Sequence, residues 1–208
     1  MTRRILCFGD SNTYGFNPED PIENRYPPTE RWPEILAART GWEAVNMGVN
    51  GRRIPHAKKE VELAVSQIQE MLPADCIIIM LGSNDIDPMG YPSADKIASR
   101  MRSFLSTLKK SFPELSIYLV APPQVEIPLA HIQEVFWELA PKYRQLAITM
   151  GIHFASAISW RLPLSPDGAH LSAEAHSAFA TEMEKLLKRT LENVLYDEET
   201  GRQTEVNE

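Results

Sequence analysis

With 208 residues, 43% hydrophobic and 24% charged, the chain has the composition of one globular domain long enough to bury a substantial core. Its formal charge of −7 argues against nucleic acid or an anionic membrane as the main partner, because both repel a net anion. Cys7 and Cys76 each sit inside an apolar run, so a disulfide scaffold is excluded and two free, buried thiols are expected.

The first element is "ILCF" (5–8), which runs directly into the polar turn "GDSN" (9–12). Arg3 and Arg4 precede it, but four apolar residues are too few for a signal-peptide core. No run approaches a membrane span, and a cytoplasmic location is the expectation. A proline-rich loop from Phe16 to Trp32 follows, then "RWPEILAART", a helix with Pro33 near its start and Gly41 as its C-cap. "WEAVN" (42–46) reads as the second strand and leads into "NMGVNG" (46–51). The basic pairs Arg52-Arg53 and Lys58-Lys59 read as solvated surface.

"HAKKEVELAVSQIQEML" carries helical periodicity, and "CIIIML" (76–81) is apolar without alternation, as a strand covered on both faces should be. "GSND" (82–85) follows it, then the helix "SADKIASRMRSFLSTLKKSF" with Ser93 at its N-cap. "SIYLVA" (116–121) is the fourth strand, and Pro122 to about Ala130 a second long loop. "APKYRQLAITMG" predicts a helix from Pro141 to Gly151, and the weaker "IHFA" (152–155) a fifth strand. "DGAHLS" (167–172) precedes a last helix from near Ser172 to about Leu195. Residues 1–195 then form one domain, and the polar stretch 196–208 a flexible tail.

Strand–helix alternation throughout implies an α/β sandwich with a mostly parallel sheet and helices on both faces. In such sheets ligands collect outside the carboxyl ends of the strands. "GDSN", "NMGVNG" and "GSND" all leave apolar runs at that end, and "DGAHLS" enters a helix. Singly, each is ordinary turn or cap chemistry. Together they supply the parts for acyl transfer. The Ser11 hydroxyl needs a base to take its proton, and His170 suits that task. Asp167, three residues before it, can fix the imidazole's tautomer. Asn84 offers a side-chain amide, and Gly51 and Ser11 offer backbone N–H groups, for a developing oxyanion. Among the other histidines, His153 lies in a strand and His176 on the last helix. His56 and His131 begin helical stretches and lack a carboxylate partner in local spacing.

These four blocks, in this order, resemble the SGNH hydrolase superfamily, the GDSL-type esterases and lipases. "RILCFGDS" with the later "ERW" and "IIIMLGSND" looks most like its bacterial arylesterase and acyltransferase branch. The resemblance implies a flavodoxin-like three-layer α/β/α sandwich with a five-stranded sheet. It assigns Ser11 as nucleophile, His170 as base and Asp167 as its orienting acid. It places the oxyanion hole at the Ser11 and Gly51 N–H groups and the Asn84 side chain, with Gly51 preferred over Gly48 as the second glycine of its block. Asn12 stands where the family's name-giving leucine is usual, and Arg53 where a threonine is frequent.

The expected activity is therefore a serine ester hydrolase acting on small acyl esters, with acyl transfer to an alcohol as a secondary activity. It needs no metal and no organic cofactor; its partner is a small-molecule ester, and self-association as a homo-oligomer fits the branch. Two rivals remain. Asp10, Asp85, Asp87, Asp167 and His170 could be the ligands of a metal-dependent phosphoesterase. A non-enzymatic flavodoxin-like binding module would use the same turns to hold a ligand. Tyr14, Phe16, Trp32 and "APPQVEIPL" are candidate pocket walls.

Overall fold

The apolar runs are short, five to six residues at most, and each is followed by a helix-length segment; such a chain buries its runs most completely as adjacent parallel strands. The computed structural model, which describes residues 2–87, 91–126 and 129–200, has this arrangement. Strands β1 (Arg4–Gly9), β2 (Glu43–Gly48), β3 (Cys76–Met80), β4 (Ser116–Ala121) and β5 (His153–Ser156) form one sheet in the order β2-β1-β3-β4-β5. Each neighbouring pair is parallel, which makes this the flavodoxin-like doubly wound order. The helices are α1 (Ser11–Tyr14), α2 (Trp32–Thr40), α3 (Lys58–Glu70), α4 (Ala94–Ser111), α5 (Ala130–Met150) and α6 (Ala173–Thr200).

Alternate residues of the central strands enter two separate cores, because successive side chains of a strand point to opposite faces. Leu6, Phe8, Ile77, Ile79 and Leu119 pack with α3, α4 and α5. Ile5, Cys7, Ile78, Met80 and Val120 pack with α2 and α6, around Trp32, Phe179 and Met183. Cys7 and Cys76 are free and buried, and burial pushes both thiols up, Cys76 to about 12, so neither is a ready nucleophile. Among the described residues, no helix is long and apolar enough to cross a membrane.

The structure departs from the sequence reading mainly at α5. The proline at 141 lies inside this helix, which starts eleven residues earlier, at Ala130. Ile132, Val135, Phe136, Leu139, Tyr143 and Leu146 recur on one buried face, and that stripe outweighs the single backbone bond that proline forgoes. The edge strands are shifted by a residue or two, β2 ending at Gly48 and β5 at Ser156. Ser93 holds the N-cap position of α4 without a side-chain capping bond. The helix α6 continues to Thr200; the remainder of the expected flexible tail, and residues 127 and 128 of the Pro122–Ala130 loop, lie outside the described residues.

Candidate active site

The order of the sheet reverses between β1 and β3, and the polar turns after those two strands meet there. β1 ends at Gly9, and the chain turns at once into the four-residue helix α1. Asp10 caps that helix: its Oδ1 accepts the Asn12 N–H at 3.0 Å. Ser11 is the first helical residue, where the N–H has no acceptor within the helix. Gly48, at the end of β2, lets α1 lie directly against the strand, since a Cβ there would lie 2.6 Å from the Thr13 carbonyl carbon.

The Ser165–Leu171 loop brings in the imidazole. Its shape is held from within: Ser165 N–H donates to the His170 carbonyl at 2.7 Å, and Gly168 N–H to the Ser165 carbonyl at 2.9 Å. Asp167 Oδ1 accepts from the N–H groups of Ala169 and His170 at 3.0 and 3.1 Å. Its other oxygen, Oδ2, lies 2.5 Å from His170 Nδ1, while His170 Nε2 lies 3.0 Å from Ser11 Oγ. Hydroxyl, imidazole and carboxylate thus form one continuous chain. Partial burial raises the Asp167 pKa, but the bonds from His170 and the two backbone N–H groups outweigh it and hold the carboxyl below the usual range. The carboxylate is therefore ionised at neutral pH. The Phe16 ring packs against His170 at 4.6 Å between centroids.

Asn84 arrives on the turn after β3. Its Nδ2 donates to the Arg52 carbonyl at 3.2 Å and approaches Asp10 Oδ2 at 3.4 Å. Asp10 is 1% exposed, and burial pushes its carboxyl up to about 6, against the Asn12 N–H bond and the charges of His170 and Arg52. The preceding turn, closed by Arg52 N–H on the Val49 carbonyl at 3.1 Å, carries Gly51 at φ +71°, a left-handed conformation that suits glycine. Arg52 is not solvated surface as expected. It stacks over Phe8 at 4.1 Å and donates to the Met47 carbonyl at 2.5 Å and the Gly9 carbonyl at 3.3 Å, fixing this turn to the end of β1.

Ser11, Asn84 and His170 line one cleft of about 470 Å³, together with Arg53 and Asp87. Gly51 lines the neighbouring cleft of about 340 Å³ instead, and Arg53 borders both. One wall of the Ser11 cleft is apolar: Ile86, Val125, Leu129, Ile132 and Phe136. Val125 and Leu129 belong to "APPQVEIPL", but the α5 residues were hidden by the late helix start expected from Pro141. Tyr14 and Trp32 are not walls: Tyr14 lies under the Arg25 guanidinium at 4.0 Å, and Trp32 is fully buried. A larger cleft of about 1070 Å³ lies beyond Val125, bordered by Trp137 and Arg161.

The other histidines are placed elsewhere. His153 stacks on Tyr118 at 4.4 Å. His176 is fully buried, its Nδ1 accepting the Trp32 N–H at 3.4 Å, and burial lowers its pKa to about 3. His56 does have a carboxylate neighbour, contrary to the sequence reading: Glu60 lies 3.5 Å away, one helical turn on, but neither residue lines the Ser11 cleft. His131 lies in the first turn of α5. The ligands of the phosphoesterase alternative are not assembled. Asp85 accepts the Ile54 N–H at 2.9 Å and pairs with Arg100 at 3.1 Å, and among the described residues no three His, Cys, Asp or Glu side chains could share a metal ion.

Residues 7–178 match the family model described as GDSL-like lipase/acylhydrolase. No curated protein matches the chain. Among solved structures, Est24, a carbohydrate acetylesterase from Sinorhizobium meliloti, is 26% identical, with 91% of this chain and 100% of that one covered and a TM-score of 0.79. A candidate arylesterase from Agrobacterium tumefaciens str. C58 is 30% identical, with 90% and 99% covered and a TM-score of 0.77. The inhibitor-bound aryl esterase of M. smegmatis is 25% identical, with 90% and 99% covered and a TM-score of 0.79.

Proposed function

The chain belongs to the GDSL-like lipase/acylhydrolase family, and from that premise we propose that this carboxylic-ester hydrolase acts on small acyl esters through an acyl-Ser11 intermediate. The observation that carries the proposal is the unbroken chain from Ser11 Oγ through His170 to Asp167, at 3.0 and 2.5 Å. Ser11 Oγ attacks the ester carbonyl carbon as His170 Nε2 takes its proton. Asp167 holds Nδ1 protonated, so that Nε2 is the free acceptor, and stabilises the imidazolium that forms.

The carbonyl oxygen gains its negative charge against the Ser11 N–H and Asn84 Nδ2, which line the cleft, and against the Gly51 N–H, on the turn whose Arg53 borders both clefts. Asn84 Nδ2 has two hydrogens: one bonds the Arg52 carbonyl at 3.2 Å, and the other, which makes the longer 3.4 Å approach to Asp10, is the one available to the oxyanion. Collapse breaks the bond to the alcohol, which leaves with the proton from Nε2. Water, deprotonated by the same Nε2, then attacks the acyl-serine carbonyl and releases the acid. The apolar wall from Ile86 to Phe136 favours esters with an aryl or short alkyl group, and it can hold an alcohol in place of that water, giving acyl transfer. Acetyl and aryl esters are the first substrates to try, in keeping with the relatives' names.

The test is turnover of p-nitrophenyl acetate by wild type and Ser11→Ala, with fluorophosphonate labelling in parallel. Loss of the hydroxyl should lower kcat by on the order of 10³-fold or more and abolish the adduct. Wild-type turnover in Ser11→Ala, or an adduct mapped to another residue, refutes the assignment.

A further inference from the structure

Asn12 is 5% exposed, and every polar atom it has is engaged. Its N–H donates to Asp10 Oδ1 at 3.0 Å, and its carbonyl accepts from Trp32 Nε1 at 3.1 Å, so the backbone is anchored to the core beneath α2 and α6. Its side chain reaches across to the loop that carries the imidazole. Oδ1 accepts the Leu171 N–H at 2.8 Å, and Nδ2 donates to the Ala169 carbonyl at 3.4 Å. The amide orientation is unambiguous, because an N–H can only donate and a carbonyl can only accept. The two groups it holds belong to the residues immediately before and after His170.

The bonds inside the Ser165–Leu171 loop fix its shape, but they do not fix where it sits relative to β1. Glu126 N–H ties the loop to the segment after β4 through the Gly168 carbonyl at 2.6 Å, and Tyr26 Oη meets Ser165 Oγ at 3.2 Å, but the bonds on either side of His170 come from Asn12, the residue directly after Ser11. A serine–imidazole contact at 3.0 Å is lost by 3.5 Å, so about half an ångström of drift is the whole tolerance. A leucine, the residue the family resemblance leads one to expect here, could bury surface but make neither bond.

We infer that Asn12 is a positioning residue: its side-chain amide clamps the main chain on both sides of His170 and so sets the imidazole's reach to Ser11. This inference rests on the proposed role of His170. It predicts that Asn12→Ala lowers kcat by about 10- to 100-fold, the range for a misplacement of up to 1 Å, while KM stays within about twofold. Because the effect acts through the imidazole, it should shrink to under about twofold when Asn12→Ala is added to His170→Ala, whose residual turnover of an activated ester is measurable.

Rates are taken per folded molecule, from thermal melts of each variant, since a purely structural role would lower Tm and leave kcat per folded molecule intact. If Asn12→Ala does not fold, Asn12→Asp goes through the same cycle. That variant equals asparagine in size, keeps an acceptor for Leu171 N–H and loses the donor to Ala169. An unchanged kcat, or the same fold-loss with and without His170, overturns the inference. If His170→Ala is crippled while the Asn12 variant is not, this inference alone falls. If His170→Ala keeps wild-type turnover, the role of His170 falls and this inference with it.

Discussion

The close approach of β2 to α1 makes Gly48→Ala a sharp test of how the nucleophile is held. A Cβ at this position would lie 2.5 Å from Tyr14 Cα and 2.6 Å from the Thr13 carbonyl carbon, and closer still to Tyr14 N. All three are backbone atoms, so no side chain can swing away. Since Cβ contacts below 3.0 Å are essentially never seen, clearing the nearest atom requires α1 to retreat by about 1 Å. It moves as a unit, because Tyr14 N–H on the Asp10 carbonyl and Gly15 N–H on the Ser11 carbonyl, both 2.9 Å, hold the helix together. The retreat therefore shifts Ser11 relative to His170. Overpacking of this kind costs about 1–3 kcal/mol. For a chain of this size that is a Tm drop of about 2–12 °C. The misplaced hydroxyl should lower kcat/KM by about 10- to 100-fold. Gly41→Ala, at the C-cap of α2, is the control. Nothing lies within 4 Å of its added Cβ, and only the φ of +71° is strained, at about 1–2 kcal/mol. Thermal melts and p-nitrophenyl acetate kinetics on the two variants decide the matter. Wild-type Tm and kcat/KM in Gly48→Ala would mean that the strand and the helix are not in contact as described.

Two buried groups contribute opposing slopes to the dependence of stability on pH in the acidic range. Asp10 is raised from 3.8 to about 6 by burial, so the stability it contributes is fully present below pH 4 and lost as pH rises through 6, about 3 kcal/mol in all. His176 is lowered from 6.5 to about 3 by burial, so its contribution is present above pH 6.5 and lost as pH falls toward 3. Between pH 4 and 6 the two slopes cancel. Asp10→Asn should expose the histidine's slope, losing about 1.4 kcal/mol per pH unit relative to wild type on acidification. Identical profiles of stability against pH for the two proteins would contradict this. Pro141→Ala should stabilise the protein by about 2 kcal/mol, because a proline inside a helix costs about 3 and returns up to about 1 by stiffening the unfolded chain. That is about 4–8 °C in Tm, and a melt showing no rise would mean that α5 has already relaxed around the ring.

How much was legible in the sequence follows from burial. "ILCF", "CIIIML" and "SIYLVA" became central strands covered on both faces, and a continuous apolar run is the direct signature of that environment. β5, by contrast, is half-buried along its whole length, as an edge strand is, and "IHFA" was correspondingly faint. Pro141 is a strong local signal that was outvoted by a tertiary one, the stripe from Ile132 to Leu146. The site divides in the same way. Ser11, Asn84, Asp167 and His170 sit in short blocks whose composition announces them, and the structure brings them together. Gly51 is in the expected turn, yet it borders the adjoining cleft. The work of Asn12 and Arg52 was invisible, because each is defined by partners that only the fold supplies. Arg52 looked like a solvated cation until its ring and carbonyl partners were seen.

The separation of 159 positions between Ser11 and His170 also governs, on the proposed mechanism, when activity can begin. At about 5–20 residues per second, a ribosome needs roughly 8–30 s to deliver the imidazole after the hydroxyl. Throughout that interval the serine is an ordinary alcohol with no base beside it. On the proposed mechanism, a chain that has not reached His170 has no base for its serine, and ester cleavage begins only after the loop that carries the imidazole is made and folded.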